Sequence, residues 1–297
     1  MSFKTHLFIV DPQNDFVVPD DGHGNKGSLV VPGATGDLDR AAIMIDRLGG
    51  KLDDITVTLD SHQTIGIERP KWWKRVGDGA QPAPFTILGI HPDGRRIVKF
   101  NADATGLHPT DEEYTTYLPS FVHKGGPTGR GVFGYLEALA SKKRYSHVIW
   151  PVHCCVGTWG WSIYPPLAAA LARWEEQQFG RINYVVKGNN PWTEHFSGVM
   201  AEVPDPKDPG TQVNTSMIQS LEDADCIPVL GEALSHCVAS TGRDIASAFS
   251  DPKYVPKMVL MTDASSNVPG FESFGTNFLQ EMVGKGMKTS TTVEFLA

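Results

Sequence analysis

A thiol, two carboxylates, two imidazoles and an ammonium group of this 297-residue chain each follow a short apolar run. Cys237 comes after the run 227–230 by way of a turn carrying Gly231 and Ser235. It opens a segment with helical spacing through Val238, Thr241, Ile245 and Phe249. A cysteine at a helix N-terminus meets the positive end of the dipole and unpaired N–H groups, which favour a thiolate and stabilise an oxyanion formed at its sulfur. Taken singly it is equally a small buried hydrophobe, as most free cysteines are. Asp11 ends the run 6–10 and begins Asp-Pro-Gln-Asn-Asp-Phe. A carboxylate there sits where open α/β sheets place their chemistry, although Asp before Pro is also an ordinary turn. Asp60 and His62 close the run 55–59. Residues two apart on an extended backbone project to the same side, so the pair can converge on one ion, but it needs a third ligand. Lys187 ends the run 182–186 just before Gly188, a place that suits a site cation better than a helix-flanking surface lysine.

The elements that must position these groups alternate. Runs at 6–10, 55–59, 147–150, 182–186, 226–230 and 258–261 read as strands, most of them apolar throughout rather than alternating, with 182–186 read as buried. A last strand is placed near 289–293. Between them, 37–48 reads as an amphipathic helix capped by Asp37 and stopped by Gly49-Gly50. Residues 163–174 and about 271–283 also read as helices. Alternation of this kind predicts an α/β fold, three-layer α/β/α with a mainly parallel central sheet, and the right-handed crossover rule brings every strand C-terminus to one edge. Asp11, Asp60, His62, Lys187 and Cys237 then share that edge. From 63 to about 143 the pattern is irregular, with Trp72-Trp73, scattered Gly and Pro, short strands possible at 98–100 and 121–124, and helical spacing at 132–140. It reads as an insertion in a single domain spanning 1–297, of the kind that forms lids or subunit contacts.

Composition narrows the partners. With 40% hydrophobic residues, 30 Gly and 21 Pro, the chain describes a loop-rich globular protein. A formal charge of -8 without a long basic run argues against nucleic acid or an anionic membrane and favours a small-molecule substrate. Four cysteines make no disulfide framework, and no run approaches the length needed to span a bilayer. The N-terminal residues run straight into a strand without a signal-peptide pattern. The expectation is an intracellular, cytoplasmic protein.

Five stretches in order, Asp11-Pro12-Gln13-Asn14-Asp15-Phe16, Asp60-Ser61-His62, Trp150-Pro151-Val152-His153-Cys154, Lys187-Gly188 and residues 231–238 (Gly-Glu-Ala-Leu-Ser-His-Cys-Val), resemble the motifs of nicotinamidases among the isochorismatase-like cysteine hydrolases. The resemblance covers nearly all of the chain outside the insertion. It implies a catalytic triad of Asp11, Lys187 and Cys237. Asp60, His62 and His153 would hold a divalent ion such as zinc, and the backbone N–H groups of Ala233 and Cys237 would form an oxyanion hole. It also implies a cis peptide between Glu232 and Ala233, and a homo-oligomer. Phe16, Trp159 and Trp161 are either core or walls of a pocket for an aromatic ring. Cys154, Cys155 and Cys226 read as packing residues, since no second ligand cluster has zinc-finger spacing.

The activity implied is hydrolysis of nicotinamide to nicotinate and ammonia through a thioester on Cys237, serving NAD salvage. Three departures bear on the substrate: Ser61 stands where many nicotinamidases carry Trp, Ser235-His236 replaces the usual Asp and aromatic residue, and Glu232 is an unusual polar residue in the turn. Two alternatives follow. One keeps the triad and takes another small amide, such as maleamate or an N-carbamoyl compound; the other is a non-catalytic binding member of the family.

Overall fold

The computed structural model describes residues 3–297. Its strands, in chain order, are β1 (His6–Val10), β2 (Asp54–Asp60), β3 (Trp73–Arg75), β4 (Ile87–Ile90), β5 (Ile97–Asp103), β6 (Gly106–Thr116), β7 (His147–Val148), β8 (Ile182–Lys187), β9 (Ile227–Gly231), β10 (Met258–Met261) and β11 (Lys288–Ser290). The helices are α1 (Asn14–Val17), α2 (Ala34–Leu48), α3 (Gly131–Lys142), α4 (Pro165–Gln178), α5 (Thr215–Glu222), α6 (Ala239–Ala248) and α7 (Glu272–Gly284). Six strands form one sheet in the order β11-β10-β9-β1-β2-β8, and every pairing in it is parallel.

Strand β1 shows why the fold has three layers. Its side chains alternate across the sheet. Leu7 and Ile9 pack with Leu38, Met44 and Ile45 of α2 and Leu167, Leu171 and Trp174 of α4. Phe8 and Val10 pack on the other face with Met217 and Ile218 of α5, Ile245 of α6 and Phe278 and Met282 of α7. All four β1 side chains are fully buried, each worth roughly 1.5–3 kcal/mol of transfer free energy. Chain order reverses between β1 and β9, so the crevice at their C-terminal ends is the topological switch point where open α/β sheets place ligands.

Several sequence expectations change. Helix α2 begins at Ala34 with Gly33 at its cap, so Asp37 lies inside its first turn rather than capping it. Strand β8 pairs only with β2 and is an edge, leaving Tyr184 and Val186 about half exposed at 46% and 48%. The run 147–150 does not join the parallel sheet: β7 lies antiparallel to β4 in a second, five-stranded sheet ordered β3-β6-β5-β4-β7. That sheet occupies much of the segment read as irregular, because its hairpin strands are half exposed and too polar to give an apolar run. Helix α3 covers it through Val132, Leu136 and Leu139. Residues 121–124 form no strand. Pro119 starts a 3-10 turn over Pro119–Val122, with Phe121 against Trp72 and Trp192. Among the described residues no helix is long and apolar enough to cross a membrane.

Gly231 ends β9 at a φ of 119°, and a Cβ there would lie 2.1 Å from the Val10 carbonyl oxygen. The close approach lets the Glu232 N–H donate to Val10 O at 2.8 Å, joining the turn after β9 to the residue before Asp11. Replacing Gly231 by Ala is predicted to destabilise the fold by at least about 2 kcal/mol in chemical denaturation. An unchanged midpoint would contradict this contact.

Candidate active site

Parallel pairing places Asp11, Asp60, Lys187 and the turn bearing Cys237 at neighbouring strand ends. Lys187 is the hub. It is 2% exposed, and its Nζ lies 2.8 Å from Asp11 Oδ2, 3.0 Å from Asp60 Oδ1 and 3.0 Å from the His195 carbonyl oxygen. Its N–H donors go to Asp60 Oδ1, the His195 carbonyl and Cys237 Sγ, the last at 3.7 Å, while Asp11 Oδ2 pairs with it by charge rather than by a hydrogen bond. Burial alone would strip the proton from this lysine, but the Asp11 and Asp60 carboxylates outweigh it and hold Lys187 cationic, well above its ordinary range.

Asp11 is fully buried. Its N–H donates to Thr58 Oγ1 at 3.0 Å, and that hydroxyl donates to Asp11 Oδ1 at 2.6 Å. Burial raises the proton affinity of its carboxyl above the usual value although Lys187 opposes the rise, which improves it as a base. Cys237 does not open a regular helix: it lies in a one-turn π-type segment, Leu234–Val238, that leads into α6. Burial pushes its thiol well above the ordinary range; Lys187 counters this, while Asp11 and Asp60 add to it. The resting group is therefore a thiol, not the thiolate that a helix terminus alone would favour. It needs a base, and Asp11 is paired to the same Lys187 that meets its sulfur.

The same turn exposes backbone donors. The Ala233 carbonyl accepts from His236 and Val238 N–H, bypassing the Cys237 N–H between them. Leu234 N–H is taken by Ser266 O at 2.7 Å, while Ala233 N–H donates to no group among the described residues. The Glu232–Ala233 peptide is cis.

Asp60, His62 and His153 present one ligand atom each within 4.8 Å of one another, all three residues buried. Asp60 Oδ2 lies 2.7 Å from His62 Nε2 and 3.3 Å from His153 Nε2. The outward nitrogens are held as well: His62 Nδ1 lies 3.3 Å from Glu68 Oε1, and His153 Nδ1 lies 2.8 Å from the Pro151 carbonyl. A carboxylate and two imidazoles oriented through their far nitrogens are the donor set of an open zinc-type site, so these residues fit a divalent ion. Burial together with Arg69 lowers His153 to about 4; burial also acts on His62 but is overcome by Asp60, which raises it to about 9.

A small cavity opens onto Cys237, Lys187, Asp60 and His153. Phe16, Leu29, Val31, Trp150, Phe196, Ala233 and Val268 form its walls, together with Glu194, His195 and His236. Phe16 is thus placed in the cavity, whereas Trp159 is not: it borders a separate surface hollow with Lys26 and Cys155. Trp161 packs on the core and donates to Ser61 Oγ at 2.7 Å. Thr58, Glu68, Glu194 and His195 were not singled out from sequence. Burial and nearby Glu68 push Glu194 up to about 8, and burial drops His195 and His236 to about 3. The cavity lining is therefore largely uncharged at neutral pH apart from its metal-ligand and Lys187 end. The run Trp192-Thr193-Glu194-His195-Phe196, polar groups set between aromatic ones shortly after Lys187, carried a signal for two of these.

No protein-family model matches the chain, and no curated protein matches it by sequence. Solved structures do resemble it. A yeast nicotinamidase has a TM-score of 0.59 at 17% identity, over 96% of this chain and 98% of its own. A nicotinamidase/pyrazinamidase from Acinetobacter baumanii has a TM-score of 0.58 at 18% identity, over 99% of each chain. A Pyrococcus horikoshii pyrazinamidase solved in complex with zinc has a TM-score of 0.50 at 16% identity, over 97% of this chain and 99% of its own. The fold of this chain is the one those hydrolases share.

Glu68 gives the metal-ligand geometry a test. Glu68→Ala should weaken binding of added Zn²⁺ 10–100-fold in a competition titration with a chelating dye. Asp60→Ala should abolish stoichiometric binding. Equal affinity in all three proteins would rule out an ion at this cluster.

Proposed function

We propose that the chain is a cysteine amidohydrolase that cleaves a small carboxamide, with nicotinamide as the favoured substrate and nicotinate and ammonia as products. The reading places it in the recycling of nicotinamide toward NAD. The observation that carries it is the buried Lys187 ammonium bound to Asp11 and Asp60, with Cys237 Sγ 3.7 Å away beside an unengaged Ala233 N–H. A packing cysteine needs no base, no cation and no free amide donor around it. A fully buried cation and two carboxylates carry a desolvation cost that a fold would not retain for packing alone.

In this reaction the substrate carboxamide enters with its ring between Phe16, Trp150 and Phe196. Asp11 takes the thiol proton as Sγ attacks the amide carbon, and Lys187 balances the charge gathered on sulfur and carboxyl. The new oxyanion lies against the N–H groups of Ala233 and Cys237. The tetrahedral adduct collapses to a thioester, the C–N bond breaks, and Asp11 returns its proton to the leaving ammonia. Asp11 then accepts a proton from water as the water attacks the thioester, and the thiol is restored when the acid leaves. A divalent ion such as zinc, held by Asp60, His62 and His153, would supply an electrophilic docking point for a donor atom of the substrate.

A second reading keeps this chemistry and changes the amide to one carrying an extra hydrogen-bond acceptor, such as maleamate or an N-carbamoyl compound. His236 favours it. Its Nδ1 is 2.9 Å from Ser235 Oγ, and that hydroxyl already accepts from Val268 N–H at 3.1 Å. The hydroxyl proton then goes to Nδ1, leaving His236 protonated at Nε2, a donor on the wall of the cavity.

Ammonia release from a panel of small amides by the zinc-loaded protein separates the readings. Nicotinamide is expected to have the highest kcat/KM, and Cys237→Ala and Asp11→Asn to lose at least about 10³-fold in kcat. Turnover of maleamate or an N-carbamoyl amide without nicotinamide would move the assignment to the second reading. No turnover of any amide, with Cys237 inert to iodoacetamide, would leave a binding protein.

A further inference from the structure

Glu232 is the polar residue that the amidase chemistry leaves unused, although it stands between Gly231 and Ala233 in the turn that carries the backbone donor. Its side chain is 0% exposed. Oε2 accepts the Ser266 N–H at 3.3 Å, Oε1 receives no N–H or O–H, and Ser266 links the carboxyl to Asp37 of α2 through its own hydroxyl. Asp37 is already an acceptor twice over: Arg40 Nη2 donates to Oδ1 at 2.6 Å and Ser266 Oγ donates to Oδ2 at 2.5 Å. A fully buried carboxyl with one N–H donor and no cation beside it keeps its proton. Arg40 and the Ser266 hydroxyl are committed to Asp37, so Glu232 is the carboxyl left neutral.

The backbone around this pair is tied on both sides. Glu232 N–H donates to Val10 O and Leu234 N–H to Ser266 O, leaving the Ala233 N–H between them free. We infer that Glu232 is a positioning residue, whose carboxyl, bonded to the Ser266 N–H, ties the 231–237 turn to the loop after β10 and, through the Ser266 hydroxyl on Asp37, to α2, and so holds the Ala233 N–H on the cavity. Its kinetic consequence rests on the amidase reading; the strut itself does not.

The charged and titratable groups facing the pair are Asp37 and Arg40 from α2 and Asp263 after β10, whose Oδ2 lies 4.0 Å from Arg40. His236, in the same turn, is engaged by Ser235 and aromatic rings. No cation lies within ion-pairing distance of Glu232 among the described residues. Burial, reinforced by Asp37, holds the Glu232 carboxyl well above the usual carboxylate range. An acid whose folded-state proton affinity exceeds its unfolded value binds a proton that the unfolded chain has lost. The stability it contributes therefore declines as pH rises from the ordinary carboxylate range to the folded-state value.

The test compares Glu232→Gln, whose neutral amide keeps the acceptor for the Ser266 N–H, with Glu232→Ala, which keeps none. Steady-state kinetics of the zinc-loaded enzyme should give Glu232→Gln a kcat within about threefold of wild type. Glu232→Ala should lose at least about tenfold in kcat with a smaller change in KM. The wild-type loss of stability on the alkaline side should flatten in Glu232→Gln. Infrared difference spectra of wild type against Glu232→Gln at neutral pH should contain the C=O stretch of one protonated carboxyl. Absence of that band, equal impairment of both variants, or an unimpaired Glu232→Ala would each overturn the inference. If no amide is turned over by any form, the infrared and denaturation results still decide on the strut, and the amidase reading falls by itself.

Discussion

The structure turns on one buried ammonium. Lys187 has no water to fall back on, so its charge must be met by protein groups, and two of these are carboxylates with different neighbours. Asp11 looks toward the thiol, and Asp60 looks toward two imidazoles. The lysine fixes the spacing of the Asp11–Cys237 pair and of the Asp60, His62 and His153 cluster with one side chain. Removing either carboxylate would leave a buried charge partly uncompensated, a loss of roughly 3–5 kcal/mol where a buried pair is broken.

That arrangement demands strands that end together. Lys187 is directly paired with Asp60 across the β2–β8 register, and β1 lies between β2 and β9. The parallel sheet thus brings together groups 49 to 226 residues apart in sequence at one edge, from positions 11, 60, 187 and 237. Loops then complete what strands begin. Residues 29 and 31 close the cavity from one side, Val268 from another, and Glu68 and Arg69 reach the imidazoles from the start of the second-sheet segment. Arg69 Nη1 donates to the Pro151 carbonyl at 2.5 Å, fixing the strand-like segment that delivers His153.

The parallel core was legible because its strands are buried on both faces and therefore read as apolar runs, and because charge at the end of such a run is rare enough to notice. Edge strand β8 broke the assumption: it ends in a site residue but leaves alternate side chains in water. The second sheet was not legible as a sheet. Strands β5 and β6 are half exposed and polar, with Pro109 and Gly106 inside or at their ends, so periodicity did not separate them from loop. At the site, strand-end residues could be found from sequence, whereas Thr58 and Glu68 could not. Each matters through a partner that only tertiary structure supplies. Trp159 shows the converse, an aromatic near the motif whose backbone carries it away from the cavity. Glu232 stands out in the sequence as an oddity and Asp37 as a helix cap; only the fold shows Ser266 bonding to both.

The claim at the centre of this account is that sulfur 237 carries the substrate's acyl group. Rapid-quench mass spectrometry of the zinc-loaded protein mixed with nicotinamide tests it most directly. The account predicts a nicotinoyl adduct on the peptide containing Cys237, formed and lost on the timescale of turnover and absent from Cys237→Ala. Full activity in Cys237→Ala, or an adduct on Cys154 or Cys155 in place of Cys237, would contradict it.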